Sequence, residues 1–196
     1  NESMQKNHFL VLLGLIVITT FTQSCSTRGV HDEYFGATEQ RLLTHSIDQL
    51  VSMLPENDFK PVKGQRVFVE CHFIENNHPL QYAAARIKLE MTQKYSLSIV
   101  DSIEKADVIF DFFFTAIGTD RDDIGFSTPE FVIPGMAGVV KIDLISLDMY
   151  HGVSELYYFM TDSKTGEISK RDRIRSIIRT DKLALPIISI PINTLD

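Results

Sequence analysis

Apolar residues recur along this chain with three different periods. From Phe9 to Phe21 they form a nearly unbroken run. From Leu43 to Leu54 they fall at Leu43, Ile47, Leu50 and Leu54, with Leu42 and Val51 widening the stripe. From Val67 onwards they alternate with other residues, Val67, Val69, Cys71 and Phe73 on one face and Phe68, Glu70, His72 and Ile74 on the other. The second period is that of an amphipathic helix and the third that of a strand.

These periods predict the following elements. A helix spans 37–54, with Thr38 as N-cap, Glu39 at the positive end of the helix dipole, and Pro55 as its stop. Residues 55–64 are a loop and 65–74 a strand. Pro79 opens a second helix to about Lys94, with Leu80, Ala83, Ala84, Ile87 and Met91 as a narrow apolar stripe. A short strand covers 97–100. Residues 106–117 form the most hydrophobic strand. Its faces, Val108, Phe110, Phe112 and Phe114 against Ile109, Asp111, Phe113 and Thr115, are apolar except at Asp111, which predicts a central strand covered on both sides. Residues 118–138 read as a long loop, 139–150 as a strand with a bulge near Ile145, and 153–161 with 167–179 as a hairpin around Asp162-Ser-Lys-Thr-Gly166. The fold class is α/β: a single domain over 37–196, with a mixed sheet of about five or six strands, two main helices and a C-terminal β-hairpin. Strand–helix alternation followed by consecutive strands implies a parallel start and an antiparallel finish.

The first run changes the picture most. Lys6 precedes it, small polar residues follow, and Cys25 comes next. An apolar core of about 13 residues is too short to span a hydrocarbon layer of roughly 30 Å. It has the plan of a secretory signal over 1–24, with Asn1–Ser3 as an extension before Met4. An uncleaved anchor and a plain secretory signal are the alternatives. Residues 25–36 would be a polar tether.

Hydrophobic residues make up 44% of the 196 residues, enough for a core, and charged residues 23%, as in ordinary globular chains. A net charge of -7 argues against nucleic-acid binding, which needs a basic field. With Cys25 used at the leader, Cys71 would be a free, small buried hydrophobe. The other concentrated charge is basic: Arg171, Arg173, Arg175 and Arg179 alternate with Ile174 and Ile178, while Ile168 is expected to face inward with them. A solvated face that protects a sheet edge and a docking face for an acidic partner or anionic head groups both fit that stripe. The apolar part of the long loop, with Phe126, Phe131, Val132 and Ile133, is a second candidate partner surface. So is the apolar tail 183–192, which must be buried on its own domain or on another protein.

Motifs for chemistry are sparse. Asp111 reads as a structural carboxylate rather than a catalytic one. His45 lacks a second ligand one turn away and reads as a surface histidine. Asp120, Asp122 and Asp123 lack the glycine and distal Glu of a calcium loop and read as a capped turn pairing with Arg121. No Gly-x-Ser-x-Gly elbow or phosphate-cradling loop is present. No catalytic residue, metal ligand set or cofactor is assigned, and the expectation is a protein that is not an enzyme.

Ser24-Cys25 resembles the bacterial lipobox, in which the cysteine becomes the lipidated N-terminus, although Thr22 stands where Leu is usual. Ala37-Thr-Glu-Gln-Arg-Leu-Leu43, Gly64 with the following Val-Phe-Val strand, Ala106-Asp107, Gly118-Thr-Asp-Arg-Asp-Asp123 and Lys164-Thr-Gly166 resemble an uncharacterised family of bacterial lipoproteins. That similarity covers most of the chain after Cys25, except the loop after Asp123 and the last residues. The element order is also similar to the periplasmic domain of the curli-secretion lipoprotein and to the N-terminal domain of the Tol-system propeller protein. The resemblance implies an acyl anchor on Cys25, at the periplasmic face of the outer membrane because Ser26 rather than Asp follows it. It also implies protein partners in an envelope secretion or transport assembly. A periplasmic binding module for a small ligand, cell-wall or lipid component is the alternative.

Overall fold

The structure, a computed structural model, describes residues 27–29, 36–128, 131–132, 139–140, 143–185 and 188–193. Cys25 and Ile133 lie outside the described residues. The chain is α/β, with one mixed sheet and, among the described residues, three α-helices.

The helices are α1 (Ala37–Ser52), α2 (Glu56–Phe59) and α3 (His78–Gln93). The strands are β1 (Thr27–Gly29), β2 (Arg66–His72), β3 (Ser98–Ile99), β4 (Val108–Ser127), β5 (Phe131–Val132), β6 (Val139–Val140), β7 (Asp143–Asp162), β8 (Ile168–Lys170), β9 (Ile174–Ala184) and β10 (Ser189–Asn193). Six strands follow one path, β10-β9-β7-β4-β2-β3, while β1 pairs with β4 and β8 with β7. The β2–β3 and β2–β4 pairs are parallel, and the β7–β8, β9–β10 and β1–β4 pairs are antiparallel. Beside the main sheet, β5 pairs with β6.

The described residues fall into two compact units. One takes those of the Asn1–Gly29, Arg121–Met149 and Asp181–Thr194 stretches, and the other takes those of Val30–Asp120 and Tyr150–Thr180. In the second unit the apolar stripes of α1 and α3 cover one face of the sheet. Leu43, Ile47, Leu50, Ala83, Ile87 and Met91 join Val67, Val69, Phe110, Phe112, Leu156 and Tyr158 in a single core. Phe59 sits at its centre, its ring stacked 4.5 Å from Tyr95 and 5.3 Å from Phe110.

Several expectations are corrected. Helix α1 is capped at Gly36, not Thr38: the Gly36 N–H donates to the Glu39 carboxylate at 2.7 Å. Asn77 caps α3, its side chain accepting the Leu80 N–H at 3.1 Å. The expected loop 55–64 contains α2 and a 3-10 turn that bury Phe59 and Val62. The polar segment 118–127 is strand, not loop or capped turn, because β1 pairs along it and Arg121 reaches Asp148 of β7 at 3.3 Å. The two strands expected at 139–150 and 153–161 are largely one, β7. Ile168 is exposed, since the chain breaks its strand geometry at 171–173 between β8 and β9. Strand β4 is central, but while Val108, Phe110, Phe112 and Phe114 are buried, Ile109, Asp111 and Phe113 opposite them are half-buried and Thr115 is exposed.

Candidate functional site

The other face of the sheet in this second unit is open to solvent over much of its area. Side chains alternate along a strand, so burying Val67, Val69, Phe110, Phe112, Leu156 and Tyr158 turns their neighbours outward. Strand β2 presents Phe68, Glu70 and His72. Strand β4 presents Ile109, Asp111, Phe113 and Thr115, and β7 presents Glu155, Tyr157 and Phe159. Rings run across the strands as a ladder. His72 stacks on Phe113 with centroids 4.5 Å apart, Phe113 stacks on Tyr157 at 5.5 Å, and the Lys170 ammonium lies 5.0 Å above the Tyr157 ring. Phe159 meets both Phe113 and Tyr157 edge-on. The rings use one another's faces and edges, and Phe113, Tyr157 and Phe159 stay half-buried.

The two ends of the ladder differ in charge. At the cationic end, Arg173 lies 3.4 Å and Arg175 3.9 Å from the Glu155 carboxylate, which also accepts the Thr115 hydroxyl at 2.5 Å. Arg171 points to Asp58 at 3.5 Å, and Asp58 accepts the Tyr158 hydroxyl at 2.6 Å. Burial and that carboxylate push the Tyr158 phenol above its ordinary range. A hollow of about 270 Å³ opens between Tyr157, Lys170, Arg171, Asp172 and Arg173. At the other end, Glu70, His72 and Asp111 converge, with one donor atom from each within 4.8 Å of the others.

The structure therefore brings Arg171, Arg173 and Arg175 together but does not leave them a bare basic stripe, since carboxylates stand against all three. Arg179 is exposed further along β9. Asp111 is not buried: its side chain is 29% exposed and faces His72. The convergence of Glu70 and His72 with Asp111 escaped sequence reasoning. Its signal was Glu-x-His on the polar face of one strand and a lone Asp on the next, and only the register Glu70↔Asp111 joins them.

The other unit carries a different surface. Phe126 is 54% and Val132 66% exposed, and the Phe131 backbone lies beside Val132 in β5. Ile124, Leu144 and Ile145 are also exposed. At the end of the sheet path, β10 turns Ile190 and Ile192 outward, 46% and 60% exposed, with Ile188 before them at 61%.

No family model matches the chain, and no curated protein matches it. Among the described residues no helix is long and apolar enough to cross a membrane, which says nothing of β-barrels.

Proposed function

We propose that the protein is a non-enzymatic, lipid-anchored lipoprotein of the bacterial outer membrane. In this reading it serves as a scaffold or subunit of an envelope assembly for secretion or transport, and it binds a protein partner along β10. The observation that carries this reading is the exposed pair Ile190 and Ile192 on β10, a terminal strand of the sheet path among the described residues, with exposed Ile188 just before it. An edge strand offers unpaired backbone groups, and proteins that stay alone blunt such edges with charge, proline or a bulge. Strand β10 has no charged residue, but it holds Pro191 and a register shift between Pro191 and Asn193. The strand also turns Ile190 and Ile192 to solvent, and strand addition by a partner uses main-chain hydrogen bonds plus apolar contacts on alternate residues. Phe126 and Val132 add exposed apolar area of the kind that marks contact surfaces. The leader ending in Cys25 supplies the membrane address.

The test combines Ile190→Lys with Ile192→Lys in protein cross-linked in its native cell. The double variant should keep its unfolding midpoint and its membrane fraction and lose its cross-linked partner. Mass spectrometry should find acyl chains on Cys25. Retention of the same partner by the double variant refutes the docking edge, and a bare Cys25 thiol in membrane-extracted protein refutes the anchor.

A further inference from the structure

We propose that Glu70, His72 and Asp111 form a binding site for a divalent transition-metal ion of the zinc class. The site lies on the open face of the second unit and uses no residue of β10, and the proposal does not depend on the partner reading.

Three observations carry it. First, Glu70 of β2 and Asp111 of β4 are register partners on adjacent parallel strands, with their side chains on the same face. Like charges placed directly opposite each other destabilise a sheet. Among the described residues, no lysine or arginine forms an ion pair with either carboxylate. A His72–Asp111 pair alone would leave Glu70 without a counter-charge, whereas a dication between the carboxylates offsets both.

Second, the spacing suits one ion. Ligand bonds of about 2.0–2.2 Å place two donors on the same ion roughly 3.0–3.6 Å apart. His72 Nε2 and Asp111 Oδ1 stand 3.5 Å apart. That is long for a hydrogen bond but suits two ligands of one metal. The Glu70 donor lies within 4.8 Å of both, and an exposed glutamate closes such a gap by rotating its side chain.

Third, the histidine is held in place. Stacking on Phe113 at 20° restricts its ring and keeps Nε2 on the side of Asp111. Partners that fix the orientation of a ligand imidazole are a recurrent feature of metal sites.

The donor set selects the metal class. One imidazole nitrogen with two carboxylates suits zinc and its first-row neighbours, while all-oxygen sets suit calcium and magnesium. Cys71 lies between Glu70 and His72 in sequence but packs against the core on the opposite face, so no thiolate joins the set. Three protein ligands leave a position for water or for a donor from a bound molecule.

The test is calorimetric titration of the full chain, purified without a polyhistidine tag, with zinc alone. One zinc should bind per chain, and X-ray absorption should show nitrogen and oxygen neighbours with no sulfur. Glu70→Gln, His72→Gln and Asp111→Asn should each weaken binding at least about tenfold. His45→Gln, at an exposed position of α1, should leave it unchanged. If Asp111→Asn or His72→Gln fails to fold, Glu70→Gln at its exposed position decides alone. Absence of binding at millimolar zinc, equal binding by Glu70→Gln, loss of binding in His45→Gln, or sulfur in the first shell each overturns the proposal.

Discussion

Gly152 of β7 lies against the carbonyl of Leu42 in α1, so close that a Cβ at position 152 would overlap the helix backbone. The requirement is one of space. The obstructing atoms are main chain and do not swing aside, so a substitution there must push the helix off the sheet. Gly152→Ala should destabilise the protein by about 1–3 kcal/mol, the usual cost of overpacking. Urea denaturation with an unchanged slope and a lower midpoint would show it, and a neutral effect would contradict the packing of α1 on β7.

About one helical turn further along α1 and two residues further along β7, a buried hydroxyl pair joins the same two elements. Ser46 donates to the Leu43 carbonyl at 2.8 Å, and its Oγ stands 2.7 Å from that of Ser154. Each hydroxyl has one proton, so Ser154 is the donor between them. Ser46→Ala strands a buried donor and should cost about 1–3 kcal/mol, while Ser154→Ala leaves Ser46 its carbonyl and should cost about 0.5–1.5 kcal/mol. The double variant should lose less than the sum, because the orphaned group is then gone, and a denaturation cycle over the four proteins measures the difference.

Asp107 ties the start of β4 to β2. Its carboxylate accepts the Arg66 guanidinium at 3.0 and 3.1 Å and the Arg66 backbone N–H at 3.1 Å. These bonds hold its pKa at about 2, below the ordinary 3.8. A folded-state pKa below the unfolded one contributes stability that is complete above pH 3.8 and is lost as pH falls toward about 2. Asp107→Asn should be less stable than the parent at neutral pH, and the two should converge on acidification through that window. Parallel acid titrations followed by circular dichroism check this convergence, and a gap that persists at the acid end would refute this role.

Cys71 should behave as a shielded thiol. Burial against the core pushes it up to about 12 from an ordinary 9.0, so the thiol stays protonated in the folded protein. Peptide mapping after iodoacetamide at pH 8 should find Cys71 unmodified in the native state and modified in urea. The raised value also means that its contribution to stability is complete below pH 9 and lost as pH rises toward 12. Rapid native alkylation at Cys71 would refute the burial.

Much of this architecture was legible because local pattern and tertiary demand coincide. Leu43, Ile47 and Leu50 of α1 are all buried, as is Leu54, which falls just past the end of the helix at Ser52, and Val108, Phe110, Phe112 and Phe114 are buried along β4. The hairpin turn was legible from its chemistry: Asp162 accepts the N–H groups of Lys164 and Thr165, and Gly166 has a φ of 69°, a left-handed conformation that suits glycine. Residues 118–127 misled because Gly-Thr-Asp-Arg-Asp-Asp carries no strand period. Such a segment stays extended when neighbours supply hydrogen bonds along it, and β1 does so from almost a hundred residues earlier in the chain. The candidate metal set was hidden for the same kind of reason, since Glu70 and Asp111 are 41 positions apart and meet only through the β2–β4 register.

What the sequence determined by itself was the set of elements whose apolar period is strong: α1, α3, β2, the first half of β4, and the hairpin around Gly166. Period decides which face must leave water, and that information is local. The tertiary structure decided which strands lie side by side, which face of the second unit's sheet the helices cover among the described residues, and which charged groups on the other face stand together. Those outcomes depend on register and on where helices run out, because pairing between strands distant in the chain is not written into the period of either one.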